Sequence, residues 1–290
     1  MDKKLSLSEK IRHWVQGLFA LTTNGHLSGF VTGSIYKGPG KHLCVPGMNC
    51  YSCPGAYGSC PIGSLQAVMG SYKYSFSYYV LGVILFFGAL FGRLVCGFLC
   101  PFGLVQDLLH KIPSKKIKTF RGDFWLRKAK YLILLVFVLI LPLFVTDFLG
   151  QGAPFFCKYL CPVGTLEGGL FLVLLRPTMR SAIGWLYLWK NLILILVIVA
   201  SVLIYRPFCK YMCPLGAIYS FFNRHALFSY HVDLASCVHC GACARACQMN
   251  VHPTENINDP ECIRCGRCKS VCPKSCIDRG FFLKEKSPQK

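Results

Sequence analysis

Two cysteine motifs near the C-terminus have the most specific spacing in this sequence. The segment that begins at Cys237 reads CVHCGACARACQ, and the segment that begins at Cys262 reads CIRCGRCKSVCP. Both follow the pattern C-x2-C-x2-C-x3-C, in which three close thiolates hold one iron–sulfur cluster and the fourth cysteine reaches a neighbouring cluster. Gly241 and Gly266 allow the tight turns that this wrapping requires. Zinc and disulfide bonds are the alternatives, but zinc sites normally use pairs of C-x2-C without the additional cysteines. The spacing therefore favours iron–sulfur clusters.

The region 231–282 resembles the bacterial two-cluster ferredoxins over their whole core. The resemblance implies a small α+β domain with two 4Fe–4S clusters. It implies that one cluster is held by Cys237, Cys240, Cys243 and Cys272. It implies that the other is held by Cys262, Cys265, Cys268 and Cys247. Gln248 departs from the pattern, because a proline would follow the fourth cysteine there.

A second motif, C-x3-C-P, recurs in the apolar part of the chain. Copies begin at Cys96 (CGFLCPFG), Cys157 (CKYLCPVG) and Cys209 (CKYMCPLG), and a shorter copy, CPIG, begins at Cys60. Proline suits the first turn of a helix, where its missing N–H has no partner to lose. The N-terminus of such a helix presents free N–H groups and partial positive charge, which favour an anionic thiolate cluster. The repetition also indicates two halves related by pseudo-symmetry.

One pair of thiolates is half of a cluster site, so we expect the copies to meet in pairs. The first predicted site consists of Cys96, Cys100, Cys209 and Cys213. The second predicted site consists of Cys157, Cys161, Cys53 and Cys60. The first set has the alternative of cysteines that pack between helices, and the second has the alternative of a disulfide or thiol pair. One or two further 4Fe–4S clusters would result, the first at the inner face of the membrane and the second at the outer face. Glu167 follows the copy at Cys157, where surface placement and proton coupling both remain open.

The elements that must position these cysteines are strongly apolar. The chain has 290 residues, of which 53% are hydrophobic, and a mean hydropathy of +0.45. Because a hydrocarbon core of ~30 Å needs roughly 20 apolar residues per helix, we predict an all-α membrane domain over 1–225. Its four transmembrane helices, in two pseudo-symmetric halves, are predicted at about 11–31, 76–95, 131–149 and 185–205. The ferredoxin-like domain at 231–282 and a tail at 283–290 follow.

The formal charge of +20 is distributed next to the apolar segments. Basic residues before the first segment, between the second and third, and after the fourth predict a multi-pass protein of the cytoplasmic membrane with both termini in the cytoplasm. The charges thus indicate a membrane lipid surface as a partner and no nucleic acid. No G-x-G-x-x-G after a strand and no P-loop occur, so we expect no nucleotide chemistry.

The order of these motifs resembles the NapH/MauN/NosR group of membrane ferredoxin-type proteins from about Tyr78 onwards. The resemblance implies an electron-transfer subunit of a membrane oxidoreductase, of the quinol dehydrogenase type. Its partners would be a cytoplasmic donor, an acceptor at the outer face, and quinone. The full motif at Cys157 and the cysteine-rich loop before it go beyond the simplest pattern of the group. The alternative function is an iron–sulfur protein that assembles or regulates a partner metalloenzyme.

Overall fold

The computed structural model describes residues 7–71, 77–148, 150–181 and 183–281. The first part of the chain contains α1 (Leu7–Thr23), α2 (Ser28–Thr32), α3 (Pro61–Gly70), α4 (Tyr78–Phe91), α5 (Leu94–Phe98), α6 (Pro101–Leu109), α7 (Asp123–Ile133) and α8 (Leu141–Phe144), with a 3-10 turn at Pro39–His42 and a π-helical segment at Leu134–Ile140. The second part contains α9 (Phe155–Tyr159), α10 (Pro162–Gly164), a π-helical segment at Thr165–Gly169, α11 (Leu170–Leu175), α12 (Pro177–Arg180), α13 (Trp185–Leu203), α14 (Pro207–Tyr211) and α15 (Pro214–Phe222).

The C-terminal part is a small unit of mixed α and β structure. It contains β1 (Phe228–Val232), α16 (Ala242–Ala246), α17 (Arg267–Ser270) and β2 (Ile277–Phe281). The two strands pair antiparallel, with Phe228 opposite Phe281 and Val232 opposite Ile277. The strands bring the two ends of the cysteine-rich segment together, so both motifs form loops on one small scaffold.

The prediction of four transmembrane helices is wrong. Within the described residues, α13 is the helix long and apolar enough to cross a membrane, with 19 residues and a mean hydropathy of 2.2. The segment predicted at 76–95 forms a helix of 14 residues, which spans about 21 Å at 1.5 Å per residue. It stops at Gly92, which has a φ of 52° that few other residues adopt. The predicted start at Phe76 lies outside the described residues.

The other two predicted spans fail for different reasons. The segment predicted at 131–149 begins inside α7, whose first turns are charged, and continues through a π-helical segment to a proline at Pro142. Its predicted last residue, Leu149, lies outside the described residues, as does the predicted tail at 283–290. The segment predicted at 11–31 is split between α1 and α2, and α1 buries Arg12 and Gln16 against the rest of the protein. Residues 123–144 are helical without a break but do not form one regular α-helix, so apolar length alone overestimated the number of long regular α-helices.

A proline directly after a cysteine begins four of the helices. Pro61, Pro101, Pro162 and Pro214 are the first residues of α3, α6, α10 and α15, and the cysteine before each is extended. Proline is favourable there because its fixed φ suits a helix and its absent N–H would have had no partner. Each C-P dipeptide thus fixes one cysteine at a helix N-terminus, facing the unpaired N–H groups of the first turn. One continuous core, which contains most of these cysteines, joins the helices.

Candidate metal centre

Four cysteines from two distant segments line one small cavity in the core. Cys96 lies in α5 and Cys100 directly precedes α6, while Cys209 lies in α14 and Cys213 directly precedes α15. All four are buried and carry free thiols. These cysteines are the first set that the C-x3-C-P spacing predicted to converge. We call them the central quartet.

Gln106 connects the two halves of the central quartet. Its side-chain oxygen accepts a hydrogen bond from the backbone N–H of Phe208 at 3.2 Å, and its Nε2 donates to Cys209 Sγ at 3.3 Å. At the start of α15, the backbone N–H of Gly216 donates to Cys213 Sγ at 3.3 Å. Hydrogen bonds donated to sulfur favour its anionic form and influence the reduction potential of a bound cluster. These contacts thus supply two hydrogen-bond donors to the sulfurs of the quartet.

Two buried arginines add positive charge at the central quartet. Arg93 Nη2 donates to the carbonyl of Cys209 at 3.2 Å, and Arg206 Nη1 donates to the carbonyl of Cys96 at 2.6 Å. Both side chains are fully buried, and Arg93 also forms an ion pair with Glu261 at 2.9 Å. A buried charge needs a partner of opposite sign. Thiolates or an anionic cluster in the cavity would share that role with the carboxylate.

A single carboxylate, Asp107, balances two of the buried guanidinium groups. Arg206 Nη2 and Arg12 Nη1 each donate to Asp107 Oδ2 at 2.6 Å. Burial alone would raise the pKa of Asp107, but the guanidiniums of Arg206 and Arg12 hold that pKa well below its usual range. The two ion pairs of Asp107 connect α1 and α6 to the loop before α14. It thereby fixes the position of the residue that contacts the Cys96 carbonyl.

Two more cavities lie in the C-terminal unit, each surrounded by cysteines of the C-x2-C-x2-C-x3-C motifs. The first is lined by four cysteines that we call the terminal quartet: Cys237, Cys240, Cys243 and Cys272. The second is lined by four that we call the proximal quartet: Cys247, Cys262, Cys265 and Cys268. Each set is the one that the resemblance to two-cluster ferredoxins implied. Cys276 also lines the first cavity, with its sulfur 3.3 Å from that of Cys272.

Gly241 and Gly266 make the turns inside the two motifs. Their φ angles are +67° and +79°, the left-handed region that glycine enters without steric cost. Each glycine directly precedes a short helix, α16 or α17, and lies between the second and third cysteines of its motif. The turn directs successive thiols into one cavity. The expectation of tight turns at these two glycines is therefore confirmed.

The quartets enclose space and do not meet at a point. Among the residues that the structure describes, no group of three or more His, Cys, Asp or Glu side chains lies close enough to hold one metal ion. The central, proximal and terminal quartets each supply four thiol donors around one space, which is the donor set that a 4Fe–4S cluster requires.

The central and proximal quartets are direct neighbours. A Cβ atom at Gly97, which lies between Cys96 and Cys100, would be 2.4 Å from the carbonyl oxygen of Ile263. Ile263 lies between Cys262 and Cys265 of the proximal quartet and packs in the same core as the central cysteines. Only a glycine permits so close an approach of the two backbones. The C-terminal unit is therefore joined to the central quartet through the loop that carries cluster ligands.

Four of the remaining cysteines form a fourth group around α9 and α10. A Cβ atom at Gly63 would be 3.9 Å from Cys157 Sγ and 3.8 Å from Cys60 Cβ, so these two cysteines are close. A Cβ atom at Gly164 would be 3.5 Å from Cys50 Sγ and 3.9 Å from Cys161 Sγ. We call Cys50, Cys60, Cys157 and Cys161 the distal quartet. All 19 cysteines of the chain are free thiols in this structure.

Cys53, which we predicted in this group, faces a different environment. Its sulfur is not among the atoms within 4 Å of a Cβ atom at Gly164, where the sulfurs of Cys50 and Cys161 lie. The thiols that act on Cys161, in contrast, are those of Cys157, Cys50 and Cys60. The structure therefore brings Cys60, Cys157 and Cys161 together, as predicted for them, and places Cys50 with them.

The distal and central quartets are also neighbours. Gly47 and Met48 line the central cavity, and Cys50 follows two residues later. Two residues of extended chain span at most about 7 Å, whereas the hydrocarbon core of a bilayer is ~30 Å thick. The two quartets are therefore adjacent sites and do not lie on opposite faces of a membrane.

Sequence reasoning overlooked two glutamines and the distinction between Cys50 and Cys53. A signal for the glutamines was present, because CPIGSLQ at 60–66 and CPFGLVQ at 100–106 share a glutamine six residues after the cysteine. The same position after Cys161 is Glu167, which accepts a hydrogen bond from the backbone N–H of Cys50 at 2.7 Å. Burial raises the pKa of Glu167 to about 7. No spacing rule distinguishes Cys50 from Cys53, since both belong to one irregular loop.

Comparison with known proteins gives an independent view of the chain. A family model described as "4Fe-4S binding domain" matches residues 75–119, 131–178 and 187–231, which contain the three full C-x3-C-P copies. An uncharacterized protein of Methanocaldococcus jannaschii is 34% identical over 212 residues, which cover 71% of this chain and 80% of that protein. No solved structure matches the chain.

Two named relatives are more distant. The "methylamine utilization ferredoxin-type protein MauN" of Paracoccus denitrificans is 27% identical over 56% of this chain and 50% of its own length. The "putative electron transport protein YccM" of Escherichia coli is 26% identical over 56% of this chain and 43% of its own length. Half or less of each of these relatives is therefore matched.

Proposed function

The chain belongs to the family of ferredoxin-type 4Fe–4S-binding proteins, and from this premise we propose that it conducts electrons between redox partner proteins. The path runs through clusters held by the terminal, proximal and central quartets. Iron–sulfur clusters bound there would supply the electron transfer, with potentials set by charge, hydrogen bonds to sulfur and exposure. The protein's residues position the clusters and set their electrostatic environment.

The observation that carries the proposal is the contact between Gly97 and Ile263. Each residue lies between two cysteines that line a cavity, one in the central quartet and one in the proximal quartet. The terminal and proximal quartets share the short helices α16 and α17, whose ends carry cysteines of both. Three sites in contact make an unbroken sequence of redox positions. A protein that used its clusters for structure alone would have no need of such an alignment.

The terminal quartet is where a soluble partner would meet the path. Cys240 is exposed, and Val238 beside it is 56% exposed, whereas the central quartet is entirely buried. A donor protein docked over Cys240 would reach a cluster without any opening of the fold. The basic residues near the C-terminal unit support a cytoplasmic location for this side of the molecule.

Membrane attachment is supported by an inverted distribution of polar and apolar residues. In α1 the buried side chains include Arg12 and Gln16, while Trp14 and Leu18 are 80% and 64% exposed. A helix that faces water shows the opposite arrangement. In helix α13, 22% of the most apolar stretch is buried, so this helix likewise presents apolar side chains to its surroundings. We propose that lipid covers these surfaces and that quinone reaches the path from this side.

Electron transfer can be measured with the full chain purified anaerobically and placed in liposomes. A low-potential viologen reduces the protein, and a short-chain quinone analogue then reoxidises it while cluster absorbance is followed. Cys262→Ser should remove the proximal cluster and abolish transfer, because it interrupts the path between the terminal and central quartets. Cys44→Ser is the matched control, since Cys44 is buried but belongs to none of the four quartets.

Two results would contradict the proposal. Transfer that survives in the Cys262→Ser protein would show that the path does not pass through the proximal quartet. Unchanged transfer combined with failure to mature a partner metalloenzyme would favour the assembly function instead.

A further inference from the structure

The distal and central quartets are built by the same contacts. In the distal quartet, Gln66 accepts a hydrogen bond from the backbone N–H of Phe156 at 2.9 Å and donates to Cys157 Sγ at 3.2 Å. In the central quartet, Gln106 makes the equivalent pair of contacts with the residue before Cys209 and with Cys209 itself. Two glutamines in corresponding positions of a repeat thus orient two corresponding thiols.

The second half of each quartet is also repeated. The backbone N–H of Gly164 donates to Cys161 Sγ at 3.4 Å, and that of Gly216 donates to Cys213 Sγ at 3.3 Å. In both places the cysteine is extended and a proline begins the helix that supplies the N–H. The distal site therefore repeats the two hydrogen bonds to sulfur that are found in the central site.

The fourth ligand is the point at which the repeat breaks. Cys96 stands four residues before Cys100, whereas the residue four before Cys60 is Ala56. A distal site consequently needs a cysteine from elsewhere in the loop. Cys50 meets this need, because the space beside Gly164 is bordered by the sulfurs of Cys50 and Cys161 together. The sulfur of Cys53, three residues later, is not among the atoms within 4 Å of a Cβ atom at Gly164.

A second observation points to a polar group in this region. Asn49 is fully buried, and neither its side-chain oxygen nor its nitrogen has a hydrogen-bond partner among the described residues. Its backbone N–H lies near the thiol of Cys60. A buried amide without partners is costly, so such groups are normally satisfied by a ligand, an ion or water. Asn49 lies directly between Met48 of the central cavity and Cys50.

We propose that Cys50, Cys60, Cys157 and Cys161 bind a fourth iron–sulfur cluster, with Cys50 as a ligand and Cys53 outside the site. The proposal rests on the proposed function for its role, since a cluster here extends the same path beyond the central quartet. It differs in its charged contacts, because Glu167 accepts from the N–H of Cys50 and Lys190 donates to the carbonyl of Cys157, whereas two arginines donate to carbonyls of the central cysteines.

Cluster counting tests the proposal without any assay of activity. Full-length protein purified anaerobically should contain about sixteen irons per chain, the number for four cubes of four irons, with a matching Mössbauer area and no zinc. Cys50→Ser should lose about four irons per chain, whereas Cys53→Ser, a change of the same kind three residues away, should lose none. Electron paramagnetic resonance of the ferredoxin-type clusters should remain unchanged in both variants, which confirms that the chain is folded.

Several outcomes would overturn the inference. A wild-type protein with about twelve irons, or with zinc in addition to iron, would show that the distal quartet holds no cluster even if Cys50→Ser failed to fold. Loss of iron in Cys53→Ser, with the full iron content in Cys50→Ser, would show that Cys53 and not Cys50 is the ligand. If the iron count supports four clusters but no electron transfer occurs, the proposed function fails and the distal site stands. If electron transfer occurs with about twelve irons per chain, the distal site fails and the proposed function stands.

Discussion

The carboxylate of Asp107 offers the clearest quantitative prediction. It is buried and receives hydrogen bonds from Arg206 and Arg12 at 2.6 Å each, and both guanidiniums are almost completely inaccessible. Asp107→Asn keeps the shape of the side chain but removes the negative charge. Two buried cations would then lack their shared partner, and the removal of one member of a buried ion pair costs about 3–5 kcal/mol. Because two arginines depend on one carboxylate, we expect a loss of at least about 3 kcal/mol.

The matched control is Asp278→Asn. Asp278 pairs with Lys269 at 3.1 Å, but the two side chains are 68% and 40% exposed. Exposed pairs contribute about 0–1 kcal/mol, so this variant should unfold almost like the wild type. Anaerobic guanidinium denaturation in detergent, followed by tryptophan fluorescence, compares the free energies of unfolding of the three proteins. A difference between Asp107→Asn and Asp278→Asn below about 1 kcal/mol would refute the view that this ion pair supports the central quartet.

The pH dependence gives a second check on the same residue. The pKa of Asp107 is lowered in the folded protein, with burial opposed by the two guanidiniums. A lowered carboxyl pKa stabilises the fold above the pKa of the unfolded state, about 3.9. The stabilisation is then lost as the pH falls through the folded value. The difference between wild type and Asp107→Asn should therefore stay constant from about pH 6 to pH 8 and decrease only below about pH 4.

Three further substitutions test the contacts around the quartets. Gly97→Ala places a methyl group 2.4 Å from a backbone oxygen of the C-terminal unit, so thermal unfolding should show a loss of about 1–3 kcal/mol and electron transfer should slow. Gly82→Ala, with nothing within 4 Å, should instead raise stability by up to about 1 kcal/mol. Gln106→Leu leaves a buried N–H without its acceptor and should cost about 1–3 kcal/mol, measured by chemical denaturation. Glu167→Leu should destabilise similarly, whereas Glu167→Gln keeps an acceptor for the N–H of Cys50 and should lose less; equal losses would contradict the role of that hydrogen bond.

The sequence predicted local structure well where one residue type determines the backbone. Gly241 and Gly266 have the positive φ that the ferredoxin-type turns require. Prolines after cysteines begin helices for the same local reason. The number of membrane-crossing helices was predicted wrongly, because it depends on where helices stop. Gly92 ends α4 after 14 residues, and hydrophobicity averaged over a segment does not register such a break.

The candidate site shows a similar division. Motif spacing groups the cysteines of the central quartet, because each C-x3-C-P copy supplies two thiols at a helix start. Spacing does not predict which cysteine of an irregular loop faces the site. Cys50 and Cys53 each precede a turn in such a loop, so the sequence does not distinguish them. Arg206 lies next to a motif in the sequence. Its carboxylate partner, Asp107, and the second arginine on that carboxylate, Arg12, lie far from it and from each other in sequence. Long-range ion pairs of this kind leave no periodic signal.

The loop Pro46–Cys50 explains how one repeat can produce two unlike sites. Six residues after the second cysteine of their motifs stand Tyr219 and Glu167, and both hold this loop. The Tyr219 hydroxyl donates to the carbonyl of Pro46 at 2.9 Å, and Glu167 accepts from the N–H of Cys50 at 2.7 Å. Tyr219 thus holds the Pro46 end of the loop at the central quartet, and Glu167, at the same position of another copy of the repeat, holds the Cys50 end at the distal quartet. Arg93 and Arg206 contact the central cysteines, whereas Lys190 and Glu167 contact the distal ones. Clusters at the two sites would therefore differ in reduction potential, because charge and hydrogen bonds near the sulfurs set that potential.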